Sequence, residues 1–80
     1  MTTYVYCVRD SKSGFTSPVL SASDDLAKRD FFFAVSHDNA LLANFPVDFD
    51  LYRVGSFDTV TGILTPITPL VHIANAKEAL

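Results

Sequence analysis

Eighty residues with one cysteine, a net charge of −3 and a hydrophobic fraction of 49% describe a single small, ordered domain. They exclude a second core, an internal disulfide and a disordered chain, and the acid balance is unlike that of a strongly basic nucleic-acid binder. A chain this short buries only about 60% of its unfolded surface, so association into a homodimer is the expected supplement.

The elements follow in chain order. Residues 3–9 alternate, with Tyr4, Tyr6 and Val8 on one side and Val5, Cys7 and Arg9 on the other, the pattern of a half-buried strand. Residues 10–14 are turn chemistry ending in Gly14, and residues 15–20 predict a short return strand that Pro18 confines to an edge. Ser21 followed by Asp24 and Asp25 resembles a capping box. The helix it opens is expected over 22–36, with Ala27, Phe31, Ala34 and Val35 as its apolar stripe. Successive helical residues are about 100° apart, so Phe31, Phe32 and Phe33 cannot share a face, and at least one of the last two should lie outside the stripe. Asn39 is the expected helix terminator, and one further helical turn over 40–45 stops before Pro46. Residues 49–57 alternate again, with Leu51, Arg53 and Phe57 against Tyr52, Val54 and Ser56. Asp58 and Gly62 bound a hairpin loop, residues 63–67 form the return strand, cut by Pro66, and residues 70–73 form one more short edge strand. The predicted fold is α+β: a three- or four-stranded, mostly antiparallel sheet with one main helix packed on one face. Residues 1–73 form the domain, and 74–80 a tail that frays or docks locally.

Charge is unevenly placed. Residues 1–30 balance, with Arg9, Lys12, Lys28 and Arg29 against Asp10, Asp24, Asp25 and Asp30, and residues 31–80 carry the acidic excess. The stretch 59–76 has no Asp, Glu, Lys or Arg, but Gly62, Pro66 and Pro69 interrupt it, so no spanning helix and no membrane partner are expected. A lone cysteine and the lack of a basic run followed by an apolar one at the N-terminus point to the cytosol.

Chemistry-bearing residues are sparse. Cys7 sits mid-strand as a small apolar filler. His37 and His72 are isolated, without metal-ligand spacing. Asp48 and Asp50 could flank a divalent ion, yet Asp48 is explained by the turn after Pro46, and Asp58 by its loop. No cofactor, no metal and no catalytic activity are expected. A surface for single-stranded DNA needs cations interleaved with aromatic rings. Tyr4, Tyr6, Arg9, Tyr52 and Arg53 supply both if their strands are neighbours.

The segment 45–62 carries a pattern of Pro46, Asp48-Phe49, Leu51-Tyr52, Gly55, Phe57-Asp58 and Thr61-Gly62. It resembles the small nonstructural protein of gokushoviruses, microviruses with single-stranded DNA genomes that infect bacteria. The strand from Tyr4 to Asp10, the helix opening at Ser23-Asp24-Asp25 with Arg29 and Phe31 inside it, and the tail 74–77 are similar too. The resemblance implies a non-enzymatic bacteriophage protein of the host bacterial cytoplasm. Its implied role is binding single-stranded DNA during genome replication and packaging, by analogy with the small C protein of the phiX-type microviruses. Phe32 and Phe33 depart from the family's more polar helix. They suggest an apolar dimer or partner interface, and with it the alternative of a protein–protein adaptor that engages a phage or host replication or capsid-assembly protein.

Overall fold

The computed structural model describes residues 1–38 and 40–80, so the helix terminator expected at Asn39 lies outside the described residues. Strand β1 spans Thr2–Asp10. The Asp10 carboxylate folds the turn back on itself, accepting from the Lys12 amide at 2.9 Å and the Ser13 hydroxyl at 3.0 Å. Gly14 takes a φ of 104°, a value that side chains disfavour. Pro18 then divides the expected return strand in two: β2 (Gly14–Phe15) and β3 (Val19–Ser21) both pair with β1. Between them Thr16 substitutes for the ladder. Its amide donates to the Val8 carbonyl, and its hydroxyl accepts from the Val8 amide.

Helix α1 (Asp24–Phe33) opens at Ser23, whose side chain accepts from the Leu26 amide at 3.2 Å. The cap is therefore Ser23 and not Ser21, and Asp24 is the first helical residue, free to point its carboxylate elsewhere. The helix widens into a π turn over Ala34–Asp38, then α2 (Ala40–Asn44) and a 3₁₀ turn (Pro46–Asp48) lead to β4. Strand β4 (Phe49–Asp58) and strand β5 (Leu64–Asn75) form the hairpin. Asp58 accepts from the Val60 and Thr61 amides, and Gly62 has φ 75°.

Among the described residues the sheet is antiparallel and five-stranded, in the order β2-β1-β4-β5 with β3 also on β1. The α+β class with one main helix is as expected, and the fifth strand comes from the division at Pro18. Two features of the β4–β5 hairpin differ from the reading of the sequence. Val5 opposes Gly55 while Tyr6 opposes Arg53, so Val54 is an extra residue and β4 changes parity there. Phe57, expected beside Leu51 and Arg53, consequently sits opposite Thr3 and Leu64 on the other face. Gly55 is required at this crossing, because a Cβ would lie 2.7 Å from the Thr65 carbonyl oxygen. The second difference is that Pro66 does not end the return strand: one twelve-residue β5 runs through it, with a cis peptide at Thr68-Pro69 and residues 67–70 looping out between the partners of Arg53 and Gly55. As the sheet edge, β5 tolerates both prolines.

The core lies on one side of the sheet, where Tyr6, Phe49 and Leu51 meet Ala27, Phe31, Val35 and Leu42. The stripe expected on the helix is the buried one, with Ala34 packed beside it. Ala76 is fully buried in this core, held by a capping box in which the Asn75 side chain accepts from the Lys77 amide and Glu78 accepts from the Asn75 amide. Residues 76–79 thus dock as a 3₁₀ turn. No described helix is long and apolar enough to cross a membrane.

Candidate functional site

Alternation along β1 and β4 separates the five residues proposed for DNA contact. Tyr4, Tyr6 and Arg53 fall on the helix-covered face, Arg9 and Tyr52 on the opposite one.

On the covered face the three residues converge on the N-terminus of α1. Tyr6 has no exposed surface, and its hydroxyl donates to Asp24 Oδ1 at 2.6 Å. Arg53 Nη1 reaches both carboxylate oxygens of the same aspartate, at 2.8 and 2.7 Å, and its guanidinium lies 5.4 Å from the centre of the Tyr4 ring. Burial, then the hydrogen bond and the negative charge of Asp24, drive the Tyr6 hydroxyl far above its ordinary titration range. Arg53 Nε is buried without a partner among the described residues. The cluster fastens the first turn of the helix to the sheet. This geometry weighs against two of the expected contacts: the Tyr6 ring is fully buried beneath the helix, out of reach of a stacking base, and the Arg53 charge is already paired with Asp24. The sequence pattern assigns Asp24 to a capping box and Arg53 to DNA contact, because their pairing across 29 residues leaves no local signal.

The opposite face is uncovered by any described helix. Tyr52 stands near its centre, flanked by two rings that sequence reasoning missed. Phe15 meets it edge-on at 5.8 Å and His72 at 5.3 Å between centroids. Phe15 is 50% exposed, and the His72 side chain 47%. His72 Nε2 lies 2.8 Å from Asp50 Oδ1, which also accepts from Asn75 Nδ2 at 3.0 Å. Exposed Arg9 stands opposite both Phe15 and Asp50 in the ladder. Among the described residues it makes no ion pair, unlike Arg53. Phe15 could have been found from the turn: Asp10 pairing with Gly14 puts Phe15 beside Arg9. His72 could not, because its register with Tyr52 depends on bulges in the β4–β5 ladder.

Farther along this face Val5 and Cys7 form the floor of a shallow apolar trough of about 340 Å³ walled by Pro18, Leu64 and Pro66. The Cys7 thiol is pushed up by burial, which suits a filler and not a nucleophile.

The proposed interface residues differ from each other. Phe32 is half-buried against the core, with Lys28 Nζ 5.9 Å from its ring centre. Phe33 is 54% exposed and stacks on His37 at 4.4 Å. It is the phenylalanine that falls outside the stripe.

No curated protein and no solved structure matches this chain. The family model described as phage ORF5 protein matches residues 3–79, nearly the whole chain, and the protein therefore belongs to that bacteriophage family.

Proposed function

We propose that the protein binds single-stranded DNA on the uncovered face of its sheet, through stacking on Phe15, Tyr52 and His72 and a phosphate contact from Arg9. The observation that carries this reading is the row of three rings across an open antiparallel sheet, next to a cation with no carboxylate partner among the described residues. Bases stack on exposed rings whatever their sequence, at about 1–3 kcal/mol per base. An open sheet face presents such rings side by side. With few free cations on an acidic chain, affinity depends mainly on stacking and the salt dependence is shallow, about −0.7 per phosphate contacted in the log–log slope. The resemblance to gokushovirus nonstructural proteins supports a role in genome replication and packaging in the host bacterial cytoplasm, without catalysis. A homodimer would double the stacking surface and add avidity.

Fluorescence anisotropy of a labelled 30-mer single strand at low and moderate salt tests the proposal. Saturable micromolar binding is expected, weakened about tenfold by Tyr52→Ala and severalfold by Arg9→Ala. An unchanged affinity in Tyr52→Ala, or no binding at tens of micromolar, removes the reading.

A second reading has its own observation. Phe33, Leu41 and Phe45 are each more than half exposed on the helical layer, which favours a protein–protein adaptor. It expects a stoichiometric phage or host partner to be lost in Phe33→Ser while DNA binding is unaltered. Phe32 is a poor probe of that surface because it also packs on the core.

A further inference from the structure

Asp50 is an unusual neighbour for a nucleic-acid platform, since a carboxylate repels phosphate. Its environment nevertheless holds it there. Oδ1 is occupied twice, by His72 Nε2 and by Asn75 Nδ2, and the second donor is itself fixed by its bond to the Val47 carbonyl at 3.1 Å. Oδ2 receives no hydrogen bond among the described residues, and the side chain is 22% exposed. The group is therefore oriented by its neighbours with one acceptor left open. Asp50 shares the uncovered face with Tyr52, two residues along the strand. Arg9 stands directly across the ladder from it on that face.

We propose that Asp50 makes this face discriminate between bases, favouring cytosine over thymine; the inference rests on the stacking reading above. A pyrimidine lying on the Tyr52 ring meets an acceptor, Asp50 Oδ2, at its edge, while Arg9 across the ladder holds the neighbouring phosphate. Cytosine presents an exocyclic amino donor next to ring and carbonyl acceptors, and a carboxylate accepting from that amino group is an established pairing. Thymine carries a carbonyl oxygen where cytosine carries the amino group, so the same carboxylate faces a like partial charge. A preference that came from stacking strength alone would survive Asp50→Asn.

The test compares labelled dC30 and dT30 at pH 8, where cytosine is unprotonated, with the wild-type protein and Asp50→Asn. The wild type should bind dC30 about fivefold more tightly, the scale of one charge-assisted hydrogen bond at a partly solvated site. In the Asp50→Asn variant the side-chain oxygen can still accept from His72 and Asn75, but the new amide turns the open acceptor into a donor. The preference should then vanish or turn toward dT30, with the fold retained by circular dichroism. If wild type binds both oligomers and dT30 as tightly as dC30, the inference fails while the stacking reading stands. Equal weakening of both oligomers by Asp50→Asn, with the ratio unchanged, reduces Asp50 to a support for His72 and also overturns it. If neither oligomer binds, the stacking reading falls, and the base preference with it.

Discussion

The two faces of the sheet are built from the same residue types, tyrosine, arginine and aspartate, and put them to opposite uses. Beneath α1, Tyr6, Arg53 and Asp24 spend their polar groups on one another. On the far face Arg9, Tyr52 and Asp50 sit in the same two strands, yet Arg9 makes no ion pair among the described residues and the rings are bordered by solvent. What separates the sets is the helix: its first residue, Asp24, brings a carboxylate to Arg53 and to the Tyr6 hydroxyl, whose ring is fully buried and needs an internal partner. Polar residues on the covered face should therefore register in stability, and those on the uncovered face in binding.

Several substitutions would break or sharpen that contrast. The largest effect is expected from Phe31→Ala, which empties the centre of the helix–sheet core and should cost about 3–4 kcal/mol in urea denaturation, enough to unfold much of so small a domain. Next is Arg53→Ala. It leaves the Asp24 carboxylate and the Tyr6 hydroxyl without their cation, at about 2 kcal/mol, between the values for exposed and buried pairs because Asp24 is 40% exposed. If Arg53→Ala instead left stability untouched and abolished DNA binding, the assignment of the two faces would be reversed.

Tyr6 gives a smaller, pH-dependent effect. Its titration is raised in the folded state, so the folded protein keeps a proton that the unfolded chain releases near the ordinary value of 10.0. Its contribution is complete below that pH and is lost as pH rises toward the folded-state titration, with a slope of at most about 1.4 kcal/mol per pH unit. Stability measured from pH 9 to 11 should fall in the wild type and lose this component in Tyr6→Phe. The least effect on stability belongs to Tyr52→Ala, within about 1 kcal/mol. A larger loss there would mean that the uncovered face is structural after all.

Much of the fold was legible from local rules. The alternation in β1, the Asp10–Gly14 and Asp58–Gly62 turns and the stripe of Ala27, Phe31 and Val35 each depend on residues close in the chain, and each stands where the pattern put it. The errors lie where local and distant constraints compete. Ser21 looked like a helix cap but is held in β3, where it pairs with Tyr4 and its carbonyl accepts from the Thr3 hydroxyl, leaving the cap to Ser23. Pro66 looked like a strand terminator, but an edge strand has no second neighbour for the proline to deprive of a hydrogen bond.

By itself, the sequence determined the α+β class, the central strands, the main turns and the apolar face of the helix, because periodicity and turn chemistry act over a few residues. Tertiary structure alone decided which tyrosines and arginines remain available to a ligand. That choice turns on one bulge at Val54, a pairing between Asp24 and Arg53 and the register that carries His72 to Tyr52. All three are set by contacts between residues far apart in the chain, where packing against the helix and across the sheet outweighs any local preference.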